Sequence, residues 1–444
     1  MKRSISLLLI FVLLLSFLVG CGSGTGSNSD KTGAAAATTE EDASNSTDTP
    51  VTIRFLNRWA TTDLMGSAVQ AALDAFMAEH ENVKIVNEIV PGGDDTQFYE
   101  KMRTAAATGD MYELFVNYGG STIRSYVDSD VLYDLTPDLE KDTEWKNSFM
   151  PVFSMWEYAD KEGTYGVPFT YFATVLFCNK DLFEQYGLQF PKTISEFEYV
   201  CDTFVSEGIA PMPTSGEGWR FAHMLTGLLM KRHGKDLFYQ LADRTKKYTD
   251  PEVMEVVKLI KSWQDKGYFG KNIASLDSAT EVAMFTSGKS PMIFIGTWQP
   301  EAILRDNPDM IENGTAQVMW FPYFDDVPQY KGGSMGGGNE GLSIAKKDDA
   351  TTAAAVELLK YLTSKETISK IWEAAPTQIF AVKTAAVPES MDSLTKACID
   401  VINNYSTDLM QEVDQYDSIA PLQDRLRNSL AGMIAGNTPE AAMQ

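Results

Sequence analysis

Apolar residues are spaced in three ways along the chain. Behind the basic pair Lys2 and Arg3, Ile5 to Val19 is an almost unbroken apolar run. Residues 22 to about 50 then hold Gly, Ser, Thr, Ala and Asn with no aromatic and almost no apolar bulk. From Val51 the apolar positions recur at periods of two and of three to four, the signatures of strands and amphipathic helices. Val51, Ile53 and Phe55 alternate as a strand. Val69, Leu73, Phe76 and Met77 return at helical spacing, and Val83 and Ile85 open a second strand, so a β-α-β unit is expected. A second helix follows, with Phe98, Met102, Ala105 and Ala106 on one face and Gly109 as its stop, then a strand from Leu114 to Asn117. The pattern is that of an open, mostly parallel sheet.

Further along, Gly166 to Lys180 reads as a long extended stretch able to cross between domains. Thr193 and Glu196 form a capping box ahead of a helix whose stripe is Phe197, Val200, Cys201 and Phe204. Asp250 as N-cap and Pro251 at the first helical position open another helix, with Val253, Val256, Val257 and Ile260 inward. Met292 to Ile295 run as a strand into Gly296-Thr297-Trp298. Gly336 to Gly341 reads as a second, flexible crossing, and Val356, Leu359 and Leu362 mark the helix beyond it.

The amino terminus carries an address. A basic n-region, an apolar run too short to span a bilayer comfortably, and Leu18-Val19-Gly20-Cys21 match a bacterial lipobox. Cleavage after residue 20 leaves Cys21 to carry lipid, and residues 21–50 form a flexible tether that cannot offset its own ordering entropy. More than one acyl chain is needed for stable anchoring. The remainder exceeds one core and suits two domains, at about 100–200 residues each. With 44% hydrophobic and 11% aromatic residues it can bury them. A formal charge of -24 disfavours nucleic acid and polybasic adhesion to membranes. With Cys21 lipidated, Cys178, Cys201 and Cys398 remain, an odd set that reads as buried thiols rather than a disulfide framework.

Two catalytic-looking patterns fail on context. Gly332-Gly333-Ser334-Met335-Gly336 matches G-x-S-x-G, yet no apolar strand leads into it. His80, His223 and His233 all precede it, against the hydrolase order. Gly336 to Gly341 matches G-x-G-x-x-G but enters the extended run Leu342-Ser343-Ile344, where a dinucleotide fold needs a helix. Backbone freedom is the reading adopted for those glycines. Metal-ligand spacings are missing from the sequence, so no metal or cofactor is expected. What stands out is a set of aromatics at strand ends and loops: Trp59, Tyr118, Tyr171, Phe172, Trp219 and Trp298. Such faces suit a ligand with apolar faces and hydroxyl edges, which points to a sugar cleft.

At these positions the chain resembles the family 1 extracellular solute-binding proteins, sugar-capturing lipoproteins of ABC importers. The resemblance covers roughly residues 51–380. It is carried by Thr108-Gly109, by Gly166-Val167-Pro168 running to Asn179-Lys180-Asp181-Leu182-Phe183, and by Pro191-Lys192-Thr193. Phe285-Thr286-Ser287-Gly288-Lys289 through Gly296-Thr297-Trp298, and Gly336-Gly337-Gly338 leading to Ile344-Ala345-Lys346, complete it. Tyr112-Glu113 and Cys178 depart from the residues usual there. The resemblance implies an α/β, two-lobed periplasmic-binding-protein-like fold of type II, with hinge-linked lobes around a ligand cleft. One lobe would comprise 51–168 plus about 341–390, the other 169–340 plus about 391–444. Trp59, Asp63, Asn117 and Tyr118 would line the first lobe, Glu217, Trp219 and Trp298 the second, and Tyr171, Phe172, Gly338, Asn339 and Glu340 the hinge. The implied protein is a monomer that captures a mono- or oligosaccharide and passes it to permease subunits without chemistry. A binding protein for a sugar phosphate or peptide, with Arg58 near the cleft, and a surface-tethered glycosidase are the alternatives.

Overall fold

The computed structural model describes residues 50–90, 95–383, 387–417 and 419–444. The apolar leader, Cys21 and the tether lie outside these described residues.

The expected β-α-β unit is present. Strand Val51–Asn57 pairs in parallel with Val83–Ile89 along its whole length, and Phe55 faces Leu114 of the parallel strand Leu114–Asn117. Helix Leu64–Glu79 covers the sheet with Met65, Val69, Leu73 and Phe76, the period-matched stripe, while Met77 stays half-buried. Gly109, at φ 72°, ends helix Asp95–Thr108 as expected. Gly341–Ile344 and Val167–Pro168 complete a five-stranded sheet, both in antiparallel pairings.

The second sheet is built around strand Tyr171–Asn179, buried along nearly all its length. Because side chains alternate across a strand, Leu176 and Cys178 enter one apolar core with helix Gly218–His233. Ala173, Val175 and Phe177 enter another with Ile303, Cys398 and Ile402. Met292–Gly296 and Ala316–Met319 pair antiparallel with it, as does Gly333–Gly338, which also carries the parallel strand Asp408–Met410.

Chain segments cross between the sheets side by side. The Phe169 and Thr170 N–H groups donate to Glu340 O at 2.8 and 3.0 Å, and Asn339 N–H donates to Thr170 O at 2.9 Å. Tyr171 N–H donates to Ile379 O at 2.7 Å, and Ala381 N–H to Phe169 O at 2.9 Å. Trp156, fully buried, is wedged against this junction. A Cβ on Gly341 would lie 2.1 Å from its Cζ2, one on Gly166 2.4 Å from Cδ1, and one on Gly338 3.1 Å from Cζ3.

That packing corrects the reading of residues 336–341 as a flexible crossing. Gly333–Gly338 is a paired, fully buried strand, and the glycines there serve close approach, with Gly337 alone at positive φ, 117°. Ser334 is buried within it and donates to Thr174 O at 3.0 Å. The Thr193–Glu196 capping box is present. Asp250 occupies the N-cap of helix Pro251–Asp265, but its carboxylate accepts from Lys247 N–H at 3.0 Å and does not cap. Helix Lys180–Gln185, unanticipated, follows the long strand. Cys178, Cys201 and Cys398 are free and buried, and burial raises the proton affinity of each thiol. Among the described residues no helix is long and apolar enough to cross a membrane, and no group of three or more His, Cys, Asp or Glu is placed to hold a metal.

Candidate functional site

A cavity of about 430 Å³ lies beside the crossing segments, walled by both lobes. Its first-lobe wall begins where strand Val51–Asn57 ends. Asn57 Oδ1 accepts from Trp59 N–H at 2.7 Å and turns the chain there. The Trp59 ring packs on Phe169 at 5.2 Å, and its Nε1–H donates to Glu340 Oε2 at 2.9 Å. Trp59 is 9% exposed, so it shows the cavity only an edge or a small part of a face. Arg58 sits with its guanidinium 5.0 Å from the Tyr118 ring and its Nε 3.6 Å from Glu340 Oε1. Asp63, the N-cap residue of helix Leu64–Glu79, leaves its carboxylate uncommitted to the cap.

The second-lobe wall is built at the start of helix Gly218–His233. Trp219 Nε1–H donates to Glu217 Oε2, and Glu217 Oε1 accepts from the Ser278 amide at 3.1 Å. Arg220, in a buried ion pair with Glu281, lies 4.9 Å from the Trp219 ring. Trp298 follows strand Met292–Gly296 and rests against Phe172, 5.3 Å between ring centres. Its ring lies directly over Gly296, where a Cβ would come 2.0 Å from Cζ3. Met335, Asn339, Glu340 and Gln378 border the cavity from the crossing segments.

The family model for bacterial extracellular solute-binding proteins matches residues 59–368, a span that contains both tryptophan-bearing walls and the crossing strands. The chain belongs to that family. Its members are extracytoplasmic receptors for solutes. A "Multiple sugar-binding protein" of Streptococcus mutans is 22% identical over 338 residues, 74% of this chain and 75% of the relative. A binding protein of Brucella abortus is 24% identical over 247 residues, and the match spans 56% of that relative's length and 53% of this chain. Among solved structures, one from a study of xylan utilization by Caldanaerobius polysaccharolyticus superposes with a TM-score of 0.78 at 22% identity, covering 88% of this chain and 98% of that one. A chitin oligosaccharide binding protein gives 0.78 at 21%, over 89% and 96%. These likenesses establish the two-lobed α/β fold.

Of the residues singled out in the sequence, this solute-binding protein brings Trp59, Asp63, Tyr118, Phe172, Glu217, Trp219, Trp298, Asn339 and Glu340 to one cavity. Asn117, Tyr171 and Gly338 do not border it. Asn117 spends its amide inside the fold, accepting from Trp156 Nε1 at 2.9 Å and Gly119 N at 2.9 Å and donating to Ser343 Oγ at 2.8 Å. Tyr171 packs on the apolar core beneath the second sheet. Gly338 meets Trp156, and its carbonyl accepts from Gln411 Nε2.

The floor was not anticipated. His223, Gln411, Glu412, Gln415 and Arg427 border the cavity alongside Met65, Ser278 and Glu301. Arg427 holds Glu412 at 2.7 Å and Asp414 at 3.1 Å. His223 Nε2 is 3.5 Å from Glu412 Oε2, and its ring stands edge-on to Trp219, 5.0 Å away. Burial, and after it the charges of Arg220 and Arg427, hold His223 well below its usual 6.5, so the ring is neutral. Burial, with the neighbouring Glu412 charge, pushes Asp414 well above the carboxylate range. Glu301 is also raised, chiefly by burial, with the Gln378 hydrogen bond opposing and the Asp63 charge adding to it. A mostly polar run directly after strand Asp408–Met410 is the only local signal for residues 411–415, and nothing in sequence links it to Trp219, nearly two hundred positions away.

Proposed function

We propose that this receptor binds a mono- or oligosaccharide in the interlobe cavity and delivers it, chemically unchanged, to an ABC-type importer. The observation that carries the reading is the treatment of the cavity's indoles. Glu340 and Glu217 hold the N–H edges of Trp59 and Trp219, and Trp298 lies on a glycine, so ring orientation is set before any ligand arrives. Sugar rings present C–H faces to aromatic planes and hydroxyls to polar edges. Asn339, Gln378, Gln411 and Gln415 supply amides that both donate and accept. The sugar-binding name of the Streptococcus mutans relative and the chitin oligosaccharide binding neighbour support the same class.

Ligand touching both walls favours whichever arrangement brings the walls together, so binding biases the hinge equilibrium and gives a permease a form to recognise. The lobes on this reading are 51–168 plus about 341–390 and 169–340 plus about 391–444. An apolar core drawn from Val51 to Phe169 and again from Leu342 to Met391 supports that division. The receptor works as a monomer tethered by lipid, palmitate included, on Cys21 at the outer face of the cell membrane.

A thermal-shift screen of the soluble body across saccharides tests the proposal. A transition that rises with ligand concentration, as mass action requires, is expected for at least one sugar. Silence across all saccharides, or new reducing ends after incubation, overturns it.

A further inference from the structure

We propose that the cavity selects saccharides bearing a protonated amine over their neutral and anionic counterparts, the ammonium being held between Asp63 of the first lobe and Glu301 of the second. The inference rests on the saccharide reading above and adds the charge class of the ligand.

Most charges around the cavity are already committed. Arg58, only 9% exposed at its side chain, lies 3.6 Å from Glu340 and over the rings of Tyr118 and Phe98 at 5.0 and 5.6 Å. Arg427 is shared between Glu412 and Asp414. A phosphate or carboxylate on a ligand therefore finds each cavity arginine engaged with a carboxylate. The acidic side chains divide differently. Glu340 and Glu412 serve Trp59 and Arg427, and both oxygens of Glu217 are taken, one by Trp219 Nε1 and the other by Ser278. Asp63 and Glu301 both border the cavity, and among the described residues neither has a basic nitrogen within 4.0 Å. Thr62 Oγ1 reaches Asp63 only at 3.5 Å, and Glu301 accepts from Gln378 Nε2 at 2.6 Å. Arg305, whose charge reaches both, is paired with Asp306 at 2.8 Å.

Asp63 and Glu301 belong to opposite walls and sense each other, since the Asp63 charge contributes to the raised proton affinity of Glu301. Their mutual repulsion opposes closure, and a cation placed between them converts it into attraction. His223 points to the same ligand polarity. It is 7% exposed, and with Nε2 facing Glu412 the ring hydrogen belongs on Nε2, which leaves Nδ1 an acceptor without a partner among the described residues. Asp63, Glu301 and this nitrogen are acceptors that a donor-bearing ligand can meet, beside cavity amides that both donate and accept. The overall charge of -24 draws cations toward the molecule at low salt.

Titration calorimetry with matched trimers decides the matter: a β-1,4-linked glucosamine trimer, its N-acetylated form, cellotriose and trigalacturonate. The amine is expected to bind at least about tenfold more tightly than its N-acetylated form at low salt, with the gap narrowing as salt rises. In D63N and in E301Q, each checked for an unchanged thermal transition, the ratio of amine to N-acetyl affinity should fall toward one. Equal affinity for amine and neutral trimers, tightest binding of the uronate, or a ratio that survives both substitutions overturns the proposal while leaving a saccharide receptor. Failure of all four trimers to bind overturns this inference alone when another saccharide still raises the thermal transition, and silence across every saccharide sinks the saccharide reading with it.

Discussion

Replacing Gly296 with alanine tests whether the cavity's stacking surface is set by backbone packing. The added Cβ would stand 2.0 Å from Cζ3 of Trp298 and 2.3 Å from both Cε3 and Cη2. Carbon atoms in contact sit about 3.5–4.0 Å apart, so the indole must withdraw by roughly 1.5–2 Å. Gly296 is not among the positive-φ glycines, so alanine's own backbone is unstrained. Trp298 is only half-buried and borders the cavity, which gives the ring somewhere to go. The fold should therefore survive, losing about 0.5–1.5 kcal/mol with the Phe172 contact. The ligand loses a plane that no longer lies where its ring stacks, about 1–2 kcal/mol, or roughly 5- to 30-fold in Kd. Calorimetry with the saccharide of largest thermal shift measures the affinity, and urea unfolding measures the stability. Affinity within about twofold of the parent refutes the platform. A stability loss beyond about 3 kcal/mol refutes it too, because the ring would then be locked in a core rather than facing a cavity.

At Gly341 the same substitution places Cβ 2.1 Å from Trp156 Cζ2 and 2.6 Å from the Val167 carbonyl, with no open side. Urea unfolding should reveal a loss at the upper end of overpacking effects, about 3 kcal/mol. Gly227→Ala, inside helix Gly218–His233, meets nothing nearer than Phe294 Cζ at 3.5 Å, so better helix propensity should raise stability by about 0.5–1 kcal/mol in the same assay. Lys231 is fully buried, with Nζ donating to Lys331 O at 3.2 Å, and burial lowers its pKa from 10.5 to about 7. Between those values the unfolded chain holds the proton more strongly, so this group's penalty is full below about pH 7 and fades as pH rises toward 10.5. Lys231→Met should stabilise the protein at pH 7 by at least about 2 kcal/mol and flatten the rise in stability between pH 7 and 10.

Local order was legible where one residue's neighbours in sequence are its neighbours in space. Strand Val51–Asn57, helix Leu64–Glu79 and the Thr193 capping box follow from periodicity and from a side chain bonding three residues on. Trp59, Tyr118 and Trp298 were readable as cavity aromatics because they follow strands that end at the cavity. For Asn117, one residue before Tyr118, the family resemblance alone implies a place in the cavity. Its amide instead holds Trp156, thirty-nine positions later, and no local signal distinguishes the two fates.

Sequence by itself determined the alternation of strands and helices from Val51 to Asn117, the acidic balance and the aromatic set, because these depend on composition and on spacing within a turn or a pleat. Only the tertiary structure decided that Glu217 and Glu340 are committed to indole N–H groups, that the glycines at 336, 338 and 341 answer to close packing, and that residues 411–427 form the cavity floor. Those outcomes depend on contacts between segments far apart in the chain, whose meeting is set by the segments that cross side by side between the two sheets.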